Sequence, residues 1–173
     1  GPEGTIDFFV SNGGVIVEEG ITLGGYDVTF DVGGTVVFKE GVVIKVKNDV
    51  QIYPGGTESN IMLENVKLTA ERFEMDTGSH GRISADSAVI RTTVAFDAFA
   101  GNSIQFINSK IVLGNGGRAL FEVIAHTGTG FALDFANTIF TGKDYTVFGR
   151  GQPANTQGTQ YKGKPSDVSI GEF

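Results

Sequence analysis

Apolar and polar residues alternate along most of this chain, with β-branched and aromatic side chains at many apolar positions and no sustained 3.6-residue apolar period. Alternation of period two belongs to strands with one buried face, so an all-β chain with little helix is expected. Four segments, 61–68, 83–90, 104–111 and 133–140, each read apolar, any, apolar, any, Asn or Ser, two of any, apolar. Asn65, Ser87, Asn108 and Asn137 hold the polar slot, at steps of 22 (87−65), 21 (108−87) and 29 (137−108). A repeat in the twenties built from strand alternation predicts a β-solenoid, in which each coil buries the apolar face of the one before. Asn tolerates the left-handed backbone region and Ser supports a weaker form of the same turn. Residues 65, 87, 108 and 137 are therefore expected to form a structural turn ladder.

From residue 60 onward each repeat is followed by a second apolar strand, marked by Phe73 and Met75, Val94 and Phe96, Leu120 and Val123, then Tyr145 and Val147. That makes about three short strands per coil. Upstream, Val28, Phe30 and Val32 alternate before Gly33-Gly34, and Val36 and Phe38 after it; the glycine pair is read as a solenoid corner rather than a hairpin turn. Residues 44–52 read as a less regular coil, with Asn48 near the asparagine slot. The long step of 29 places an excursion within 112–130, which contains Gly-rich turn chemistry. The expected division is a lead-in over 1–12, the solenoid over 13–148, and an extended polar tail or cap over 149–173, where apolar residues are sparse until Val168 and Ile170.

Charge narrows the partners. The net charge is −7, with 13 basic residues scattered among 20 acidic ones, which excludes phosphate-backbone binding as the default and so argues against nucleic acid. The absence of cysteine removes disulfides, thiol catalysis and thiolate zinc sites. No apolar run approaches the roughly 20 residues of a membrane span, so none is expected. No signal-peptide pattern opens the chain, and Gly1-Pro2 reads as a cleavage scar, the mark of an excised fragment.

Candidate chemistry follows from strand phase. If Phe73 and Met75 point inward, Arg72, Glu74 and Asp76 point outward. Asp97 is expected on the equivalent strand one coil later and Glu122 a coil after that, so that Glu74, Asp97 and Glu122 form a carboxylate column. Hydrolysis of a glycosidic bond uses paired carboxylates, which makes these three the catalytic candidates; the competing reading is a solvated face with Arg72 and Arg118 as neighbours. Glu64 and Asp86 make a second stack, where calcium is not expected because no dense Asp-x-Asp loop exists. His80 and His126 sit far apart in turns and define neither a metal site nor a triad. Gly114-Asn115-Gly116-Gly117 lacks the Lys-Ser/Thr and helix of a phosphate loop, and no cofactor is expected. With no Trp in the chain, Tyr53 and Tyr161 are the candidates for stacking on sugar, and most Phe residues are assigned to the core.

The Leu63-x-Asn65-x-x-Leu68 type units and the approach Gly41-Val42-Val43-Ile44-Lys45-Val46-Lys47-Asn48 carry a resemblance over about residues 13–148. The chain resembles the right-handed parallel β-helix group that includes pectate lyases and phage tailspike proteins, and among these it is most similar to tailspikes and tail fibres. The resemblance implies a single-stranded right-handed parallel β-helix, and it is specific for architecture rather than function. It further implies a homotrimer in a virion tail, a structural and receptor-binding fragment that engages surface polysaccharide of a bacterial host. The alternatives are a secreted or cell-surface glycosidase or lyase using the carboxylate column, and a cytoskeletal or adhesin solenoid that polymerises end to end.

Overall fold

Strand alternation is satisfied here by coiling. The computed structural model describes residues 3–55 and 59–171; Gly1-Pro2 lies outside them. Among the described residues there are strands and no helix. After β1 (Gly4–Val10) the chain makes about seven coils. The first is β2 (Val15–Val17), β3 (Ile21–Leu23) and β4 (Tyr26–Val32); the second is β5 (Val36–Phe38), β6 (Val43–Val46) and β7 (Asp49–Pro54). The third is β8 (Asn60–Glu64) with β9 (Lys67–Asp76), and the fourth β10 (Arg82–Asp86) with β11 (Val89–Ala100). The fifth is β12 (Ser103–Ile107), β13 (Lys110–Leu113) and β14 (Arg118–Val123). The sixth is β15 (Leu133–Asp134) with β16 (Ile139–Arg150), and the seventh β17 (Ala154–Asn155) with β18 (Gln160–Ile170).

Every pairing is parallel, and each coil presents three faces. The first face is a seven-stranded sheet running from β2 to β17. The other two share an eleven-stranded sheet, because the long strands β9, β11, β16 and β18 bend through the edge between them. The second face holds β3, β6, β13 and the N-terminal parts of the long strands. The third holds β1, β4, β7, β14 and their C-terminal parts. In β11 the bend is a register break between Thr92 and Ala95, as expected where a bulge turns a strand.

Burial alternates with the pleat, and the interior is a column of aliphatic and aromatic side chains. Phe73 stacks on Phe96 at 5.3 Å between ring centroids, and Phe106, Phe121, Phe135 and Phe140 meet edge to face. Stacked and T-shaped rings add to the burial of their area. Leu120, one of the residues that mark this strand in the sequence, points outward, because Ala119, Phe121 and Val123 take the inward positions of β14.

The asparagine slot behaves as the spacing predicts. Asn65, Ser87, Asn108 and Asn137 all have positive φ, between 50° and 55°. Their amides donate to the coil above: Asn65 N to Asp86 O, Ser87 N to Ile107 O, Asn108 N to Ala136 O and Asn137 N to Gln157 O, at 2.8–3.1 Å. The ladder is thus mainly a backbone one, with the Asn108 side chain donating to Asp86 Oδ1 at 3.3 Å. It also extends further than the repeat. Gly41, with φ 85°, donates to Asn65 O, and Gly158, with φ 75°, lies against the Asn137 side chain. Gly41, not Asn48, holds the slot in the second coil. Gly33-Gly34 is a corner between parallel strands; a Cβ on either residue would collide with the carbonyl of Ser11 or of Gly13 in the coil below.

The step of 29 divides into two insertions. The link from Leu113 to Arg118 is five residues (118−113) where Thr92 to Ala95 is three (95−92). The remainder is the loop over 124–132, anchored where His126 meets Asn102 O at 2.9 Å and Gly130 O at 3.2 Å, and where Thr127 N donates to Asn102 Oδ1. The stretch expected as a tail or cap continues the coil: β17 pairs with β15, β18 pairs with β16, and Tyr161 stacks on Phe140.

Candidate functional site

On the third face, outward residues fall into columns running parallel to the solenoid axis, one residue per coil and about 4.8 Å apart. The central column contains Asp7, Thr29, Gln51, Glu74, Asp97 and Leu120. Glu74 and Asp97 are therefore direct register partners on adjacent coils. Glu122 does not join them. It pairs with Phe99 below and Arg150 above, one column over, and Leu120 takes the position beside Asp97. The step from Glu74 to Asp97 is 23 residues (97−74), and the same step from Asp97 reaches Leu120 (120−97), so Glu122, two residues further along β14, falls in the next outward column.

The flanking column pairs Asp49 with Arg72, Arg72 with Ala95, and Ala95 with Arg118. Ala95 is the short side chain between two arginines, and a hollow of about 310 Å³ opens there. Gln51, Arg72, Glu74, Asp97 and Arg118 line it. Arg118 crosses one coil to grip Asp97 with two hydrogen bonds, Nη2 to Oδ2 at 2.7 Å and Nε to Oδ1 at 3.2 Å. The hydrogen bonds and charge of Asp97 push the guanidinium pKa further up, as a forked pair does.

Tyr53 lies on the other flank, and its hydroxyl donates to Glu74 Oε2 at 3.0 Å. Burial, the bond to Glu74 and the charges of Glu74 and Asp76 push this phenol up to about 12. Asp76, two residues beyond Glu74 on the same face, is held above the usual carboxylate range by burial and then by Glu74. Asp49 is raised as well, by burial and by the charges of Asp27 and Glu71, against the pull of Arg72.

The structure brings Tyr53, Glu74 and Asp97 together with Arg118, and separates Glu122 and Tyr161 from them. Tyr161 occupies the inward column above Phe140, where it closes the seventh coil. Asp49 and Gln51 complete the hollow and were not singled out from the sequence. Their signal was the outward phase of 49–53, where Val50 and Ile52 are buried. On the first face Glu64 and Asp86 are register partners, but Asp86 accepts hydrogen bonds from Ser87 Oγ and Asn108 Nδ2 and belongs to the turn ladder. Among the described residues no three His, Cys, Asp or Glu side chains converge as metal ligands, and no helix is long and apolar enough to cross a membrane. Comparison with known proteins found no matching family model, no matching curated protein and no matching solved structure.

Proposed function

We propose that this chain is a structural and receptor-binding solenoid of the tailspike or tail-fibre type, trimeric in a virion tail, whose third face binds bacterial surface polysaccharide without cleaving it. One observation carries the binding reading: two carboxylates of the hollow over Ala95 are each held by a neighbour, Glu74 by the Tyr53 hydroxyl beside the hollow and Asp97 by Arg118. Carboxylates held in this way present ordered lone pairs to sugar hydroxyls. Asp97, occupied by both prongs of Arg118, is poorly placed to exchange protons with a glycosidic oxygen. The columns give a polymer a straight path, and Tyr53 and Phe99 supply aromatic surface beside it.

The test is binding of the protein to capsule and lipopolysaccharide preparations, followed by calorimetry, with product analysis in parallel. The expected result is saturable binding, weakened at least about tenfold in Tyr53→Ala and Asp97→Ala, with no new reducing ends or unsaturated products. Sedimentation reads the trimer, and a stable monomer overturns that part. A second reading, a polysaccharide hydrolase, is favoured by Asp76. A carboxyl raised beside a second carboxylate is the arrangement of a general acid next to a base or nucleophile. New reducing ends that vanish in both Asp76→Asn and Glu74→Gln would select it.

A further inference from the structure

The second face differs in charge from the rest of this acidic molecule. Its outward positions form two columns, and over four consecutive coils each coil places one cation there, alternating between columns: Lys45, Lys67, Arg91 and Lys110. Lys162 repeats the feature in the seventh coil. All five are exposed. No Asp or Glu shares either column among the described residues. None of the five takes part in an ion pair there, the one such pair being Arg118 with Asp97 on the third face. Glu64 and Asp86 precede the turn ladder and belong to the first face, and Glu71 lies past the β6-paired part of β9. The backbone ladder therefore sets one positive charge per coil, advancing about 4.8 Å along the axis and staggered between the two columns. Between them lie small aliphatic side chains, Val43, Val89 and Val112, of which Val43 is half exposed.

We infer that the second face binds a linear anionic polysaccharide laid parallel to the solenoid axis, with its carboxylate or sulfate groups meeting the staggered cations and its sugar rings lying on the valines. A nucleic acid fits worse. Duplex DNA carries a charge about every 1.7 Å, far denser than this ladder. The two columns hold no aromatic side chain on which a base would stack. A polymer with sparse charges and apolar ring faces matches both the spacing and the valines. This inference is independent of the sugar-binding reading of the third face, and the two fail separately.

The experiment is affinity electrophoresis and calorimetry of the protein with polygalacturonate, against neutral dextran and oligo(dT) as comparisons. The expected result is binding of polygalacturonate over both, weakening as salt rises, and reduced at least about tenfold in Lys67→Gln/Lys110→Gln, because each cation contributes to ion release. Arg91→Gln gives a smaller loss. These lysines are exposed, so circular dichroism and melting of the double variant should match the parent. Binding that survives the double variant overturns the inference, as does preference for oligo(dT). Self-association abolished by Lys67→Gln/Lys110→Gln, without polygalacturonate binding, also overturns it and assigns the face to a second copy.

Discussion

The hydroxyl of Tyr53 in the second coil donates to Glu74 in the third, and this one bond joins the aromatic flank of the third face to its carboxylate column. Tyr53 therefore reports on Glu74 in a spectroscopic signal that the residues lining the hollow lack.

Alkaline titration of tyrosine absorbance should show a late step near 12 that disappears in Tyr53→Phe. Glu74→Gln should move that step down, because it removes the negative charge and weakens the acceptor. The stability effect has a definite sign. A phenol raised in the folded state contributes fully below the unfolded value of about 10 and loses that contribution as pH rises through about 12. The parent should lose stability faster than Tyr53→Phe across this window. An unchanged titration in Glu74→Gln would mean that the bond is not made in solution.

Asp76 is raised by burial and by Glu74, so its charge costs more in the folded chain than in the unfolded one. Asp76→Asn should stabilise the protein at pH 7, by about 0.5 kcal/mol or less as befits a partly exposed site. The advantage should shrink as pH falls through the raised folded value and vanish below the ordinary carboxylate range, where parent and variant are both neutral. Urea unfolding at a series of pH values measures it, and a pH-independent difference would contradict it.

Phe106 is fully buried, and Lys110 sits outward in the same coil. Phe106→Ala should cost about 3–5 kcal/mol, and Lys110→Ala less than about 0.5 kcal/mol. Equilibrium denaturation compares them directly. Equal small effects would show that the inward and outward assignments are reversed or lost.

Asn108 has φ 52°. Asn108→Gly should be tolerated, because glycine enters the left-handed region without a Cβ penalty. Asn108→Val should cost about 1–2 kcal/mol for a β-branched residue in the left-handed region, plus the bond to Asp86. Melting of the two variants tests whether the slot selects backbone conformation. Destabilisation as large in the glycine variant would assign the role to the side-chain bond instead.

The coil repeat was legible because the left-handed slot admits so few residue types that Asn and Ser mark it. Where Gly fills the same slot, at 41 and 158, nothing distinguishes it among 26 glycines. Glu74 and Asp97 were legible together because their coils have nearly equal length. Glu122 was misplaced because outward positions recur every second residue, so strand phase alone does not separate it from Leu120, which lies at the same 23-residue step from Asp97 (120−97) that parts Asp97 from Glu74 (97−74). The 149–173 stretch was read as a tail because its inward positions are few and widely spaced: Ala154, Tyr161, Val168 and Ile170. A coil with a neighbour on one side needs less apolar content to pack, so apolar density is a poor guide there. The basic ladder was invisible to composition, since its cations are scattered in sequence and align only when the coils are stacked.

The interval from Ser87 to Asn108 spans 21 residues (108−87) and returns the backbone to the same place one strand spacing along the axis. Length in this molecule is thus a counted quantity, like graduations on a measuring tape. Excising residues 88–108 and joining Ser87 to Ser109 should leave a shorter molecule with each face still in phase and Arg91 gone from the second. Editing of this kind, in whole coils, alters what is written along the surface while leaving the cross-section that carries it intact.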